Sequence, residues 1–286
     1  MVKNKRGAAI MFTSFHTHCY FCDGVQEPKV YVEKALERGI EIVGFSSHAP
    51  IPFENSWTMK EERVEAYLKT IEDLKEEYKD RIEIYTGLEV DFIEKDSRKI
   101  FEKYKLDYTI GSVHLFPKED LSTYYSVDGN DLDFQKTLNE FFQGDIKKFV
   151  RKYYQNISAM LLQHKPNILG HFDIIKKNNS GERYFSENDP WYKSAVLEVL
   201  PIIKESGSVL EVNTGGILRG YIKDPYPSLW ILRECIKLDI PVLVTSDAHA
   251  PEHMKGFYDL AFYGLREVGY TEQRILKDGK WMQDRI

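Results

Sequence analysis

The stretch Phe15-His-Thr-His-Cys-Tyr-Phe-Cys-Asp-Gly24 follows a short apolar run and sets two histidines one residue apart. Side chains alternate along extended backbone, so His16 and His18 point the same way and both imidazoles reach one centre. The run before them, 8–15, has the length and composition of a buried strand. A strand that delivers ligand-type side chains at its C-terminal end is the signal traced along the rest of the chain.

Most of the other strands end in the same manner. Ser46-Ser-His-Ala-Pro50 closes a strand over 41–46, and Gly87-Leu-Glu-Val-Asp91 closes one over 82–88. Gly111-Ser-Val-His114 closes 108–113, Gly170-His-Phe-Asp173 closes 168–170, and Ser246-Asp-Ala-His249 follows 241–245. The strand over 208–212 brings no ligand type and ends on Asn213. Amphipathic patterns over 28–38, 60–79, 96–104, 189–204, 228–238 and 254–268 alternate with these strands. That order implies parallel strands joined by crossover helices. The connection after His114 is longer, with a polar loop over 120–130 and helices over 131–142 and 145–165.

An open doubly wound sheet and a closed barrel share this pattern, and the polar residues decide between them. In a parallel barrel every strand opens onto one face at its C-terminal end. Six of the eight histidines fall there, with Glu89 and Asp247 beside them. The expected fold is therefore α/β, a barrel with a metal site at the strand C-termini. Imidazole and carboxylate are the usual ligands of first-row ions. The candidate ligands are His16, His18, Asp23, His48, Glu89, His114, His171, Asp247 and His249. Nine exceed the capacity of one ion. They point to two or three divalent ions, with Glu89 able to bridge through its two oxygens. His164 and His253 lie in or beside helices and are assigned to ordinary structural roles.

Composition narrows the function. The chain has 286 residues, 42% hydrophobic and 29% charged, with a net charge of −6. An acidic balance disfavours nucleic acid as the main partner, because phosphate-backbone binding needs a basic field. No apolar run approaches a membrane span. Three cysteines are too few and odd for a secreted disulfide scaffold, so the cytoplasm is the expected compartment. Cys19 and Cys22 form a single C-x-x-C, read as packing beside the site, because a zinc knuckle needs a second pair. Asp173 and Asn213 are candidates for orienting ligands, or for plain turn residues.

The ordered motifs H-x-H, S-x-H-A-P, G-L-E-x-D, G-S-V-H, G-H-x-D and S-D-x-H resemble the PHP (polymerase and histidinol phosphatase) superfamily. More closely they are similar to its histidinol-phosphate phosphatase branch, as is Tyr125-Ser-Val-Asp-Gly129. The resemblance runs from about Phe15 to about Ala250. It implies a distorted (β/α)7 TIM-like barrel, a single domain over 1–286 with a helical insertion at about 117–165. It implies a trinuclear centre of Zn, Mn or Fe. His16, His18, Glu89 and Asp247 would hold one ion, Glu89, His114 and His171 a second, and Asp23, His48 and His249 a third. Cys22-Asp23-Gly24 departs from many relatives, which carry a histidine one residue later after a Cys-Pro pair.

The implied activity is hydrolysis of L-histidinol phosphate in histidine biosynthesis, by metal-hydroxide attack on phosphorus. Asp247 or His249 would orient the hydroxide or relay a proton to the leaving alkoxide. Lys177 and Arg219 match basic residues that contact the phosphate, and the partner is a small-molecule phosphate ester. Three alternatives stay open at this point: a phosphoesterase of other specificity, a metal-dependent deaminase or amidase, and a non-catalytic metal-storing barrel.

Overall fold

The computed structural model describes residues 10–94 and 103–286. Seven parallel strands form its centre: β1 (Thr13–Ser14), β2 (Ile42–Phe45), β3 (Glu83–Asp91), β4 (Tyr108–Ser112), β7 (Ile168–Leu169), β8 (Val209–Asn213) and β9 (Val242–Thr245). They pair in the order β1-β2-β3-β4-β7-β8-β9. A parallel bridge between Thr17 and Ala248 brings the two outer strands together, with His18 N–H donating to the Ala248 carbonyl at 2.9 Å. The result is a nearly closed barrel, as the strand-end pattern predicts.

The period-2 rule explains how this barrel makes a site. Phe15, Ile42, Tyr85, Ile110, Ile168, Val209 and Leu243 form one apolar floor inside it, with one residue from each strand or its immediate end. Intervening residues such as Val43, Phe45, Leu210, Val212, Val242 and Val244 face the surrounding helices in the main core. Counting upward by twos from the floor leads to polar side chains. Ile42 leads through Gly44 and Ser46 to His48, and Tyr85 through Gly87 to Glu89 and Asp91. Ile110 leads to Ser112 and His114, Val209 to Glu211, and Leu243 to Thr245 and Asp247. Tyr108 fills the barrel beneath that layer, its hydroxyl donating to the Phe15 carbonyl at 2.6 Å. Any side chain at Gly44 would collide with the Tyr108 ring.

Helices α1 (Pro28–Glu37) and α2 (Val64–Tyr78) cover the early strands. The helix expected over 96–104 lies outside the described residues except for its last two. The long connection after β4 has its two expected helices, and differs in the expected loop ahead of them, part of which is strand. Its start is a hairpin, β5 (Leu115–Pro117) against β6 (Tyr124–Ser126). Helix α3 (Asp131–Lys136) follows, opened by Asn130 in a capping box with Asp133, and then a π-helical turn over Thr137–Phe141. Helix α4 (Ile146–Gln163) starts at Asp145, whose carboxylate accepts from the Lys148 amide at 3.0 Å. Phe116, Phe142 and Phe149 pack the hairpin onto α4.

The expected helix over 189–204 is two helices, α5 (Pro190–Leu197) and α6 (Leu200–Ser206). Pro201 explains the break, since it donates no N–H and crowds the carbonyl four residues back. Helix α7 (Gly215–Leu218) leaves β8, while α8 (Leu229–Lys237) and α9 (Tyr258–Val268) flank β9. A final antiparallel hairpin, β10 (Glu272–Lys277) with β11 (Lys280–Arg285), was not expected from the sequence. Its Ile275 and Leu276 join the barrel floor and close its N-terminal end. No helix among the described residues is long and apolar enough to cross a membrane.

Candidate metal centre

Glu89 stands at the middle of the strand-end face, 1% exposed. Its Oε2 lies 3.1 Å from His16 Nε2, 3.4 Å from His18 Nε2 and 3.0 Å from His48 Nδ1. Its Oε1 lies 3.0 Å from His171 Nε2 and 3.6 Å from His114 Nε2, and accepts from the Ser112 hydroxyl at 2.6 Å. Asp247 Oδ1 faces the same space, 3.6 Å from His16 Nε2 and 3.4 Å from both His18 Nε2 and His249 Nδ1. Asp23 completes the outer side, 3.4 Å from His249 Nε2 and 3.9 Å from His48 Nε2. All nine candidate ligands therefore converge.

Four groups of them bring ligand atoms within 4.8 Å of one another: His16 with Glu89 and His171, His16 with His18 and Asp247, His48 with Glu89 and His114, and His18 with Asp23, His48 and His249. The geometry adds His48 to the neighbours of Glu89, and Asp23 reaches its group in spite of the shortened Cys22-Asp23-Gly24 turn. His164 and His253 stand outside these groups.

The donor set fits divalent cations. His16 Nε2, His18 Nε2, His48 Nδ1, Glu89 Oε2 and Asp247 Oδ1 are buried and have no hydrogen-bond partner. A buried polar atom without a partner is costly, and here five such atoms aim into one space. Ion coordination satisfies them together.

A supporting layer fixes which ring nitrogen faces inward. Glu211, fully buried on β8, accepts from His16 Nδ1 at 2.5 Å, from the His171 amide at 2.6 Å and from the Thr245 hydroxyl at 2.7 Å. Asp91 receives His114 Nδ1 at 3.1 Å and the His114 amide at 3.0 Å. Such partners set the tautomer and leave the other nitrogen's lone pair free. The sequence reading missed both roles. The expectation that the strand over 208–212 brings no ligand-type residue is corrected by Glu211. A glutamate inside the apolar run Val209-Leu-Glu-Val212 was the available signal.

Asn213 supports the site through Glu211, donating to its Oε2 at 3.0 Å. Asp173 turns elsewhere, accepting from the Ser228 amide at 3.0 Å and pairing with Lys176 at 2.9 Å. Cys19 packs against Ser47, and Cys22 Sγ lies 3.5 Å from His18 Nδ1. Burial pushes the Cys19 thiol up to about 11, which keeps it protonated.

The charges are strongly coupled. Burial opposes ionisation of Glu89, yet the His16, His48 and His114 imidazoles hold its carboxyl well below the usual range. Burial and the neighbouring His249 and His48 depress His18 to about 3. For His114, burial is outweighed by Asp91 and Glu89, which raise it to about 10. Arg219 binds Asp247 twice, Nη2 to Oδ2 at 2.7 Å and Nη1 to the carbonyl at 2.9 Å. Asp247 has a φ of 48°, a left-handed conformation uncommon outside glycine. That backbone turns its carbonyl to Arg219 while Oδ1 faces the histidines.

A cavity of about 600 Å³ opens above this centre. Lys177, Arg219 and His249 line it, and the connection after β4 supplies a wall that includes Tyr124, Tyr125 and Asp128.

Known proteins are similar to this chain in sequence and fold. The PHP domain family model matches residues 14–215. The chain is 32% identical over 251 residues to histidinol-phosphatase of Bacillus subtilis, covering 82% of this chain and 92% of that one. Two solved structures share the fold, each 20% identical. One, from Listeria monocytogenes, has a TM-score of 0.76 and covers 87% of this chain and 99% of that one. The other is histidinol phosphate phosphatase of Lactococcus lactis, complexed with zinc, L-histidinol and phosphate. Its TM-score is 0.72, with 96% of this chain and 100% of that one covered. The chain therefore belongs to the PHP domain family, in its histidinol-phosphatase branch.

Proposed function

We propose that this protein is a metal-dependent phosphomonoesterase that hydrolyses L-histidinol phosphate to L-histidinol and phosphate. The observation that carries the reading is the set of five unpartnered, buried ligand atoms, Glu89 Oε2 among them, gathered at the base of an open cavity. The Bacillus subtilis relative supports the choice of substrate. Two or three divalent ions, zinc among the candidates, are held by His16, His18, Asp23, His48, Glu89, His114, His171, Asp247 and His249. When bound, such ions supply charge neutralisation at the phosphoryl oxygens and a hydroxide at neutral pH.

The chain's own residues do the rest. Glu211 and Asp91 keep His16 and His114 in the tautomer that presents Nε2 to the centre. Arg219 holds Asp247 Oδ2 and so aims Oδ1 inward. Arg219 and Lys177, on the cavity wall, are the cations for phosphate oxygens turned away from the centre. Asp247 orients the attacking oxygen. His249, donating through Nδ1 to the Asp247 carbonyl at 3.1 Å, keeps Nε2 for an ion and helps to orient the attacking oxygen, while the leaving alkoxide takes its proton from water in the cavity.

The test is phosphate release from a panel of phosphomonoesters by metal-loaded protein. L-histidinol phosphate is expected to give the highest kcat/KM. A higher value for a nucleotide or sugar phosphate would keep the phosphatase and reject the substrate.

A further inference from the structure

Asp128 lines the cavity wall, yet it belongs to none of the four ligand groups. It sits just beyond β6, and its side chain is 20% exposed. Lys177 is tied to it. The ammonium donates to the Asp128 carbonyl, stands 3.5 Å from Oδ2, and lies over the Tyr221 ring at 4.6 Å. Apart from this ion pair, no described residue donates a hydrogen bond to either Asp128 carboxylate oxygen.

The position is unfavourable for a plain phosphate ester. A carboxylate beside a phosphate site repels the phosphate and cancels part of the attraction of Lys177. An ester whose alcohol part carries an ammonium group reverses the sign of that interaction, because the ammonium pairs with the carboxylate. Repulsion of the wrong ligand and attraction of the right one then come from a single residue.

We propose that Asp128 is a specificity-determining residue whose carboxylate, tethered by Lys177, receives the protonated amine on the alcohol side of the substrate. The protein thereby selects amino-alcohol phosphates over esters that lack the amine. This inference rests on the phosphatase reading above.

The experiment compares metal-loaded wild type and Asp128→Asn on L-histidinol phosphate and on its deamino analogue, which keeps the imidazole and the carbon chain. The wild type favours the amine-bearing ester. In Asp128→Asn the ratio of the two kcat/KM values falls about 10- to 100-fold, chiefly through KM, as expected for a lost charged hydrogen bond. An equal fall on both esters, or an unchanged ratio, overturns the proposal. Should the variant fail to fold, inhibition of the wild type decides. L-histidinol must bind more tightly than the deamino alcohol, and equal binding overturns the proposal. Failure of the underlying reading is distinct, because the wild type would then release no phosphate from either ester.

Discussion

Glu211 ties three strands to one another through a single carboxylate: His16 from the end of β1, the His171 amide beyond β7, and Thr245 on β9. We expect Glu211→Gln to lower metal affinity by about 10- to 100-fold, the usual cost of losing an outer partner of a ligand histidine. Metal titration followed by circular dichroism checks this, and unchanged affinity in a folded variant would remove the role. The candidate ligands other than Asp23 were legible because each falls at or just past a strand end, where a polar residue after an apolar run stands out. Glu211 and Asp91 were harder to read. Each lies inside a strand or one step past a recognised ligand, and one sequence does not reveal whether a buried carboxylate faces an ion or an imidazole. Lys177 was read as a phosphate-binding cation, and its pairing with Asp128 depends on a long-range contact that no local pattern encodes.

At the scale of elements, the C-terminal hairpin is a packing device. Ile275 is completely buried among floor residues from the barrel strands, far along the chain from each of them. Ile275→Ala should cost about 2–5 kcal/mol of stability through lost contacts and a residual cavity, read as a lower urea midpoint. Since the floor lies below the ligand layer, kcat/KM per folded molecule should not change. A large loss of activity with unaltered stability would contradict the separation of floor from site. This hairpin had a readable signal. Asp278-Gly279 lies between the two strands with φ of 48° and 70°, the pair of positive values that a tight hairpin turn requires. Strand, helix and turn patterns elsewhere were read mainly from hydrophobic periodicity, which also hid the break at Pro201. Short strands such as β6, packed by aromatic neighbours rather than by alternation, carry no such period.

For the whole molecule, the barrel makes a cavity that needs its ions. Six Asp and Glu side chains line it, against three of Lys and Arg. The chain alone therefore presents an acidic wall to an anionic substrate, and the divalent ions reverse the local field. The modest net charge of −6 disfavours a polyanion partner and leaves a small phosphate ester open. The same ions would bind the folded site more tightly than the unfolded chain, so chelation should lower Tm and re-addition should restore it. An unchanged Tm with the metal demonstrably gone would detach the ions from the fold. The measurement closest to the central claim is phosphate release from L-histidinol phosphate by the purified protein, before chelation, after chelation, and after reloading with zinc or manganese. The account predicts release that disappears with the ions and returns with them. No release from a fully metal-loaded protein, or release indifferent to chelation, would contradict it.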